Sequence, residues 1–493
     1  MRRFLSCTAA ALAAAAPSAS GGGEALRAIV EERVPLVEAA GRAARGGARP
    51  EAVQAQYDAA RDLQEALRRS EPVDTSCRPL LGAARALAAA HVLQVEGYDR
   101  PWPPLAKVGV QRARAALTTL APARSRCRPR PAHTPVRLPE PLAPRSGEAF
   151  FGHVSALVPP GTSVATVRLG ERRFDLQAPG RRLTWAVPPS VEPGRYDLEL
   201  EFRSGGARGS LVGRARSAGV WLLPPSARRA VPANSPDRPA AARLEALARQ
   251  FSGYAGIWTL DLGSGRTAGA GADARFPAAS TVKLAVLVAA LRRLGSRPER
   301  SPAAYDLAAL AGWSSNAATN RLLVRLGGSE TAGAVIAQGV LDRAGAARST
   351  FTGGYRLGTA LARRGTEPPL VSSRVTTARD LGRMLLLLHT AATGDAGSLR
   401  ALGLSPHQAR VGLALLLSWR APPPGDNAGN FAQALPRSIP AAQKCGWISS
   451  ARHTAAIVYG PGGPRIVVLL TYRPGIDLAE AQTLGRRVLE ALG

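Results

Sequence analysis

The spacing of apolar residues changes along this chain, and each spacing restricts its part of the chain to a different kind of fold. Within residues 24–120 apolar side chains recur at helical spacing, as Leu26, Val30 and Val34 do. Within residues 147–225 they alternate with polar side chains, most clearly over residues 196–202, as in half-buried strands. The spacing therefore predicts a small helical bundle followed by a small β-sandwich.

Two segments rich in proline and arginine separate the parts of the chain, and their composition is typical of linkers. These segments are residues 121–146 and 226–240. They divide the sequence into a helical domain at 21–120, a β-sandwich-like domain at 147–225 and a third domain at 241–493. The length of 493 residues agrees with several domains of about 100–200 residues each.

The first twenty residues have the layout of a secretory signal peptide, with two arginines, a short apolar stretch and then small residues. No other segment approaches the roughly 18–20 apolar residues that a membrane helix needs. We therefore expect an exported protein, extracellular, periplasmic or associated with the cell envelope, without a transmembrane anchor. In an oxidising compartment Cys77 and Cys127 could form a disulfide, which would leave Cys445 unpaired.

The formal net charge of +29 permits attraction to anionic cell-envelope polymers, although a general compositional bias toward arginine explains it equally well. Basic side chains occur in every segment, without the dense basic block or interleaved aromatic run that a nucleic-acid groove uses. We therefore expect no nucleic-acid partner.

Only three of the 64 basic residues are lysines, and two of these lie in short polar motifs of the third domain. The motifs are Ser280-Thr281-Val282-Lys283 and Lys444-Cys445-Gly446. Arginine does not release its proton in a protein, whereas lysine can. Unless their position is a coincidence, the two lysines are candidates for proton transfer or for another task that arginine cannot perform.

Ser280 precedes an almost wholly apolar run, which predicts that it begins a buried helix whose free N–H groups face the serine oxygen. The three-residue spacing places Lys283 on the same helical face, within reach of the hydroxyl proton. At its reference pKa of about 10.4, a lysine is neutral only once in roughly 2,500 at pH 7. Burial or a second nearby cation would raise that fraction.

Two further motifs follow the serine motif in the chain. Residues 313–320, WSSNAATN, bring hydroxyl and amide groups in a helix-compatible stretch, and residues 444–447, KCGW, precede two apolar strands. In this order FPAASTVK, SSNAATN and KCG resemble the serine, S-D-N and K-T-G motifs of the penicillin-recognising enzymes, especially the class A β-lactamases. The resemblance covers residues 241–493. It implies an α/β (α+β) domain of the β-lactamase or transpeptidase type, with an antiparallel sheet flanked by helices.

The resemblance implies a catalytic role for four positions of this sequence. Ser280 would be the acylated nucleophile, and Lys283 would accept its proton. Ser314 would relay the proton to the leaving nitrogen, and Lys444 would lend positive charge to the site. No metal or other cofactor is implied.

Substrate binding would use a second set of residues. Asn316 would bind the substrate amide, while the N–H groups of the nucleophile and of Trp447, beside Gly446, would form the oxyanion hole. Cys445 stands where the family usually has a threonine or serine, and a thiol is a poorer hydrogen-bond donor. Carboxylate recognition could instead use Arg452, although this residue is equally well interpreted as a surface arginine.

The chain departs from the family most clearly in the glutamate that activates the deacylating water. The order of elements places this glutamate within residues 348–356, which contain no acid. Glu367 is followed by proline, as in the family pattern, and is either this base or a solvated loop charge. Ser315 replaces the aspartate of the second motif, which we interpret as a structural change. His453 is interpreted as a packed side chain rather than a catalytic one.

We therefore predict an exported serine acyl hydrolase that forms an acyl-enzyme at Ser280 with β-lactams or related peptidoglycan-type amides, such as stem peptides. One alternative is a penicillin-binding D,D-peptidase-like protein with slow deacylation, since the glutamate is missing. Another is a catalytically silent protein that binds the cell envelope. The retained lysines argue against silence, whereas Cys445 and the missing glutamate argue for it.

Overall fold

The computed structural model describes residues 22–46, 50–69, 75–99, 103–128, 148–178, 180–225, 235–312, 314–355, 374–418, 429–436 and 438–493. The predicted signal peptide and Glu367 lie outside these residues. The chain forms two compact units, Met1–Pro135 with Arg300–Tyr305 and Val136–Glu299 with Asp306–Gly493. The boundaries of the three sequence domains stay a prediction. None of the described helices offers the long apolar stretch that a bilayer span requires.

The described residues of the first unit form a succession of helices, each packed on the next, which confirms the helical prediction for this region. The helices are α1 (Gly22–Arg45), α2 (Pro50–Arg69), α3 (Arg78–Asp99) and α4 (Pro103–Arg126), with a 3₁₀ turn at Thr75–Cys77. Leu26, Val30 and Val34 are buried in one core with residues from all four helices. The helical spacing of these apolar residues is therefore the spacing of the buried faces.

Helix α4 ends at Arg126 and so extends into the segment that the sequence predicts to be a linker from residue 121. Pro122 lies inside the helix, although proline removes a backbone donor there. Burial of Leu120 and Ala123 holds this end of the helix against the core. A disulfide between Cys77 and the adjacent Cys127, the pairing that the sequence allowed, attaches it further.

Two packed sheets explain the alternating pattern of residues 147–225. The strands are β1 (Ala149–Phe151), β2 (His153–Leu157), β3 (Val164–Leu169), β4 (Arg172–Gln177), β5 (Arg182–Ala186), β6 (Gly194–Arg203) and β7 (Leu211–Leu223). In the described residues they form a five-stranded sheet, in the order β1-β7-β6-β3-β4, and a two-stranded sheet of β2 and β5. Trp185 from the small sheet and Leu200 and Phe202 from the large sheet share one core.

The remaining elements surround a six-stranded sheet in the described part of the chain, ordered β13-β14-β15-β9-β10-β8. Its strands are antiparallel except for the β8–β10 pair. The elements are β8 (Ser235–Pro236), α5 (Arg238–Gln250), β9 (Tyr254–Asp261), β10 (Arg266–Ala270), β11 (Phe276–Pro277), α6 (Lys283–Arg293), α7 (Ala304–Gly312), α8 (Asn316–Gly327), α9 (Glu330–Arg343), β12 (Val375–Thr376), α10 (Ala378–Thr393), α11 (Ala396–Leu402), α12 (Pro406–Leu417), β13 (Ala441–Ile448), β14 (Ala451–Gly460), β15 (Gly463–Tyr472) and α13 (Leu478–Leu492). The regular structure begins at β8, inside the predicted second linker.

Helices cover both faces of this sheet because successive strand residues point to opposite sides. Ile257 of β9 packs with α5 and α13 on one face. Its neighbour Trp258 meets α10 on the other face, at Gly382. Helix α6 is buried from Lys283 to Leu291 and contacts α8, α9 and α12. This burial fixes the position of the helix that carries the serine motif.

Gly382 is expected to be intolerant of a side chain. A Cβ atom at this position would lie 2.1 Å from Cε3 and Cζ3 of the Trp258 ring. Gly382→Ala should therefore lower the free energy of unfolding by about 1–3 kcal/mol, as overpacking of a core usually does. The measurement is the midpoint of urea unfolding of the compact unit that contains Gly382. Gly339→Ala in α9 is the matched control, because its Cβ would meet only Arg343 Nη1, at 3.4 Å. An unchanged midpoint in Gly382→Ala would contradict the packing.

Candidate active site

Ser280 lies in a tight turn before α6 rather than in the helix itself. Thr281 N–H donates to Ala278 O at 3.1 Å and Lys283 N–H donates to Ser280 O at 3.2 Å, after which the helix begins at Lys283. Ala279 has a φ of 47°, a left-handed conformation that non-glycine residues rarely adopt. The helix therefore starts later than predicted, and the turn leaves Ser280 partly exposed.

The buried side chain of Lys283 joins the first motif to the second. Its Nζ donates to Ser314 O and to Asn316 Oδ1, both at 2.6 Å, and lies 3.4 Å from Ser314 Oγ. It also lies 4.3 Å from the centre of the Tyr355 ring. The structure thus brings together two motifs that are separated in the sequence.

The second motif forms a strained turn followed by a capped helix. Ser314 has a φ of 62°, again in the left-handed region. Ser315 is the N-cap of α8, and its side chain accepts a hydrogen bond from Ala318 N–H at 3.1 Å. Ser315, which stands where the family usually has aspartate, therefore stabilises the start of α8. Trp313 lies outside the described residues.

Lys444 of β13 reaches the same serine as Lys283. Its Nζ donates to Ser314 Oγ at 2.7 Å and to Cys445 O at 2.8 Å. Burial removes water from the Lys444 ammonium and lowers its pKa to about 7. Near neutral pH this lysine therefore exists in both protonation states, while Ser314 connects it to Lys283.

The backbone of β13 runs directly beside the turn that carries Ser280, at Gly446. A Cβ atom on Gly446 would lie 2.6 Å from Ser280 N and 2.9 Å from Thr281 N, so only glycine fits here. Trp447 follows Gly446 in the strand and pairs with Arg452 of β14. Gly446 of β13 therefore lies next to the amide of Ser280, and an oxyanion hole formed with Trp447 stays a prediction.

The thiol of Cys445 is not on the Lys444 side of β13, because neighbouring residues of a strand point to opposite faces. Cys445 Sγ lies 3.5 Å from Thr454 Oγ1, and burial raises the thiol pKa to about 11. The thiol therefore lies on the opposite face of β13, although the Cys445 carbonyl accepts a hydrogen bond from Lys444 Nζ. The guanidinium of Arg452 instead lies 5.4 Å from the centre of the Trp447 ring, close to the end of β13.

His453 is a packed side chain that ties β14 to β11. Its Nδ1 accepts the N–H of Thr471 at 3.2 Å, so Nε2 carries the proton that is donated to Pro277 O at 2.7 Å. Burial lowers the His453 pKa to about 4. The imidazole is therefore neutral and supports the chain just before Ser280.

Tyr355 is the site residue that the sequence analysis missed. It lies in the segment 348–356 that lacks an acid, and its hydroxyl donates to Ala279 O at 3.1 Å. Its backbone N–H and C=O bond to Asn320 Oδ1 and Nδ2 at 2.7 and 2.8 Å. The only signal in the sequence was Asn320, the last residue of the second motif. Glu367 is not described by the structure, and its role as a base stays a prediction.

In the described part of the chain, no group of three or more histidine, cysteine, aspartate or glutamate side chains could hold a metal ion. The arrangement is one of hydroxyls, lysines and backbone amides. Such groups can move protons and stabilise a developing oxyanion during acyl transfer.

Several solved structures are similar to this part of the chain. A structure described as that of PBP-A is 21% identical, covers 55% of this chain and 98% of its own, and has a TM-score of 0.39. A mutant of PBP-A in an acyl-enzyme complex with penicillin G is 21% identical, with 52% and 97% covered and a TM-score of 0.38. A class A β-lactamase from Mycobacterium abscessus is 23% identical, with 52% and 99% covered and a TM-score of 0.39.

No protein with a curated description matches the sequence. The model of the beta-lactamase enzyme family matches residues 239–300 and 295–492, which together contain all three motifs. Because this match extends over more than half of the chain, the protein belongs to the beta-lactamase enzyme family.

Proposed function

We propose that this protein is a serine acyl hydrolase in which Ser280 forms an acyl-enzyme with β-lactams or related peptidoglycan-type amides. The observation that supports this function most directly is the connection of Lys283, Ser314 and Lys444 through hydrogen bonds beside the Ser280 turn. Both lysines are completely buried, so their amines face the protein and the site rather than bulk water.

The acylation step uses these groups in sequence. Lys283 accepts the hydroxyl proton while Ser280 Oγ forms a bond to the amide carbonyl carbon, and the N–H groups of Ser280 and Trp447 stabilise the oxyanion. As the C–N bond breaks, Ser314 donates its proton to the leaving nitrogen. Lys283 then restores the Ser314 proton, since its Nζ lies 3.4 Å from Ser314 Oγ. The proton of the nucleophile is thereby transferred to the leaving group.

The charge and the amides around Ser280 support the proposed substrate class. A β-lactam and a peptidoglycan stem peptide both present an acyl carbon near a carboxylate. The ammonium of Lys444, in the middle of β13, and the guanidinium of Arg452, beside Trp447, are cations that would attract this carboxylate. Asn316 would bind the substrate amide, and to do so it would exchange part of its contact with Lys283.

A second function, a penicillin-binding D,D-peptidase-like protein with slow deacylation, is favoured by Tyr355. This side chain occupies the segment in which the family order places an acid. Burial raises the Tyr355 pKa to about 12, so its phenol is neutral and donates its proton to Ala279 O. It therefore cannot activate a deacylating water as a carboxylate would.

Export is part of the proposal. The Cys77–Cys127 disulfide supports an oxidising compartment, where such bonds form and persist. There the net charge of +29 would attract anionic polymers of the cell envelope.

Acylation by a labelled penicillin tests the proposed nucleophile and base. Ser280→Ala should form no covalent adduct, and Lys283→Arg should acylate about 10²–10⁴-fold more slowly, because arginine cannot accept the proton. The measurements are adduct mass and ring opening over time with the full chain. Lasting adduct in the wild type supports the slow-deacylation function, whereas ring opening without lasting adduct supports the hydrolase.

Lys107→Arg is the matched control for the lysine substitution, because Lys107 is the third lysine of the chain and is exposed on α4. It should acylate at the wild-type rate. Undiminished acylation in Lys283→Arg would refute the role of Lys283, and a wild type that forms no adduct and opens no ring would favour the silent envelope-binding alternative.

Loss of the Lys444 proton should make the rate of acylation fall as the pH rises above neutral, which is the basic limb of the pH profile. Its pKa of about 7 means that the positive charge is present below this pH and lost above it. The second-order rate constant for acylation should therefore fall about tenfold per pH unit above the Lys444 pKa. Lys444→Arg keeps its charge, so its rate, although lower, should show no such fall. The same basic limb in both proteins would exclude Lys444 as its source.

A further inference from the structure

We propose that Tyr355 is a positioning residue for acylation, whose hydroxyl fixes the turn that carries Ser280 and whose ring holds the ammonium of Lys283. This inference rests on the proposed function, since it concerns the same nucleophile and base. It assigns a task to a side chain that the sequence motifs do not include.

The hydroxyl contact acts on the strained residue immediately before the nucleophile. Tyr355 Oη donates to Ala279 O at 3.1 Å, and Ala279 has a φ of 47°. A non-glycine residue stays in this conformation only where its surroundings hold it there. The phenol keeps its proton throughout the neutral pH range because burial raises its pKa to about 12. The donor of the hydrogen bond to the turn is therefore present throughout this pH range.

The ring contact acts on the base. Lys283 Nζ lies 4.3 Å and Arg374 Cζ lies 4.0 Å from the centre of the Tyr355 ring, so the ring attracts two cations. Arg374 is itself held by hydrogen bonds to Thr352 O and Gly354 O, both at 3.0 Å. Together with Ser314 O and Asn316 Oδ1, the ring defines where the Lys283 ammonium rests.

Helix α8 sets the position of both partners. Asn316 accepts a hydrogen bond from Lys283, and Asn320 binds the backbone N–H and C=O of Tyr355. Residues four apart lie on the same face of a helix. One helical face therefore holds Lys283 and Tyr355 against each other. The position of the Tyr355 ring is fixed by α8 as well as by its own loop.

The two contacts can be separated by substitution, because the hydroxyl touches the turn and the ring touches the lysine. Tyr355→Phe removes only the hydroxyl, and Tyr355→Leu removes both contacts. The quantity to measure is the second-order rate constant for acylation of the full chain by a labelled penicillin, as a function of pH. The position of the acid limb, the side of this profile on which the rate falls as the pH falls, reports the pKa of the base that must lose its proton before it can act.

We expect Tyr355→Phe to acylate about 5–10-fold more slowly at every pH, as the loss of one hydrogen bond to the turn implies, with an unchanged pH profile. Tyr355→Leu should be slower still, and its acid limb should move to lower pH by about half a unit to one unit. The direction follows because a ring face stabilises the ammonium, so its removal makes Lys283 lose its proton more readily.

Phe351→Leu is the control for a general loosening of this loop, because its buried ring lies 6.0 Å from that of Tyr355. Its acid limb should coincide with that of the wild type. Tyr355→Met repeats the ring test with a similar volume if the leucine variant does not fold, as judged by its unfolding midpoint.

Three results would overturn the inference in distinguishable ways. If Tyr355→Phe acylates at the wild-type rate, the hydroxyl has no positioning role. If the acid limb does not move in Tyr355→Leu or Tyr355→Met, the ring does not stabilise the Lys283 ammonium. If the acid limb of Phe351→Leu shifted by the same amount, the effect of Tyr355 would be explained by packing of the loop alone. Absence of any adduct in the wild type would instead overturn the proposed function itself, and this inference with it.

Discussion

The burial of two lysine amines around one serine is the constraint on which the structure around the three motifs depends. An ammonium in a protein interior is unfavourable by several kcal/mol unless acceptors surround it. Ser314 supplies its carbonyl to one lysine and its hydroxyl to the other, while Asn316 and the Cys445 carbonyl supply the remaining acceptors. These acceptors meet only if α6, α8 and β13 converge at one point, so the layered fold and the site require each other.

These elements converge so closely that the backbone around Ser280 is strained and tightly packed. Ala279 and Ser314 both adopt left-handed conformations, and Gly446 approaches the amide of Ser280 too closely for any side chain. Strain of this kind is maintained by neighbouring contacts. Tyr355 and His453 provide two of them, each through a hydrogen bond to a carbonyl just before Ser280. The turn that carries Ser280 is thus held in place by side chains that lie outside the three motifs.

The sequence predicted the elements and the motifs better than the directions of individual side chains. Periodicity was sufficient for the helices of the first unit and for strands such as β6, because burial of one face dictates the pattern. It could not show that Ser280 precedes its helix, since the positive φ of Ala279 arises from tertiary contacts. Nor could it show which face of β13 receives Cys445. Tyr355 was missed because its partners Ala279 and Lys283 lie far away in the chain.

The scarcity of lysine has a further consequence for the surface of the molecule. Lys283 and Lys444 are completely buried, whereas Lys107 on α4 is exposed. An amine-directed reagent therefore meets a single accessible lysine side chain on the folded protein, and that side chain belongs to the other compact unit. Lys107 is therefore the lysine through which the protein can be tethered or tagged, while both amines beside Ser280 stay buried.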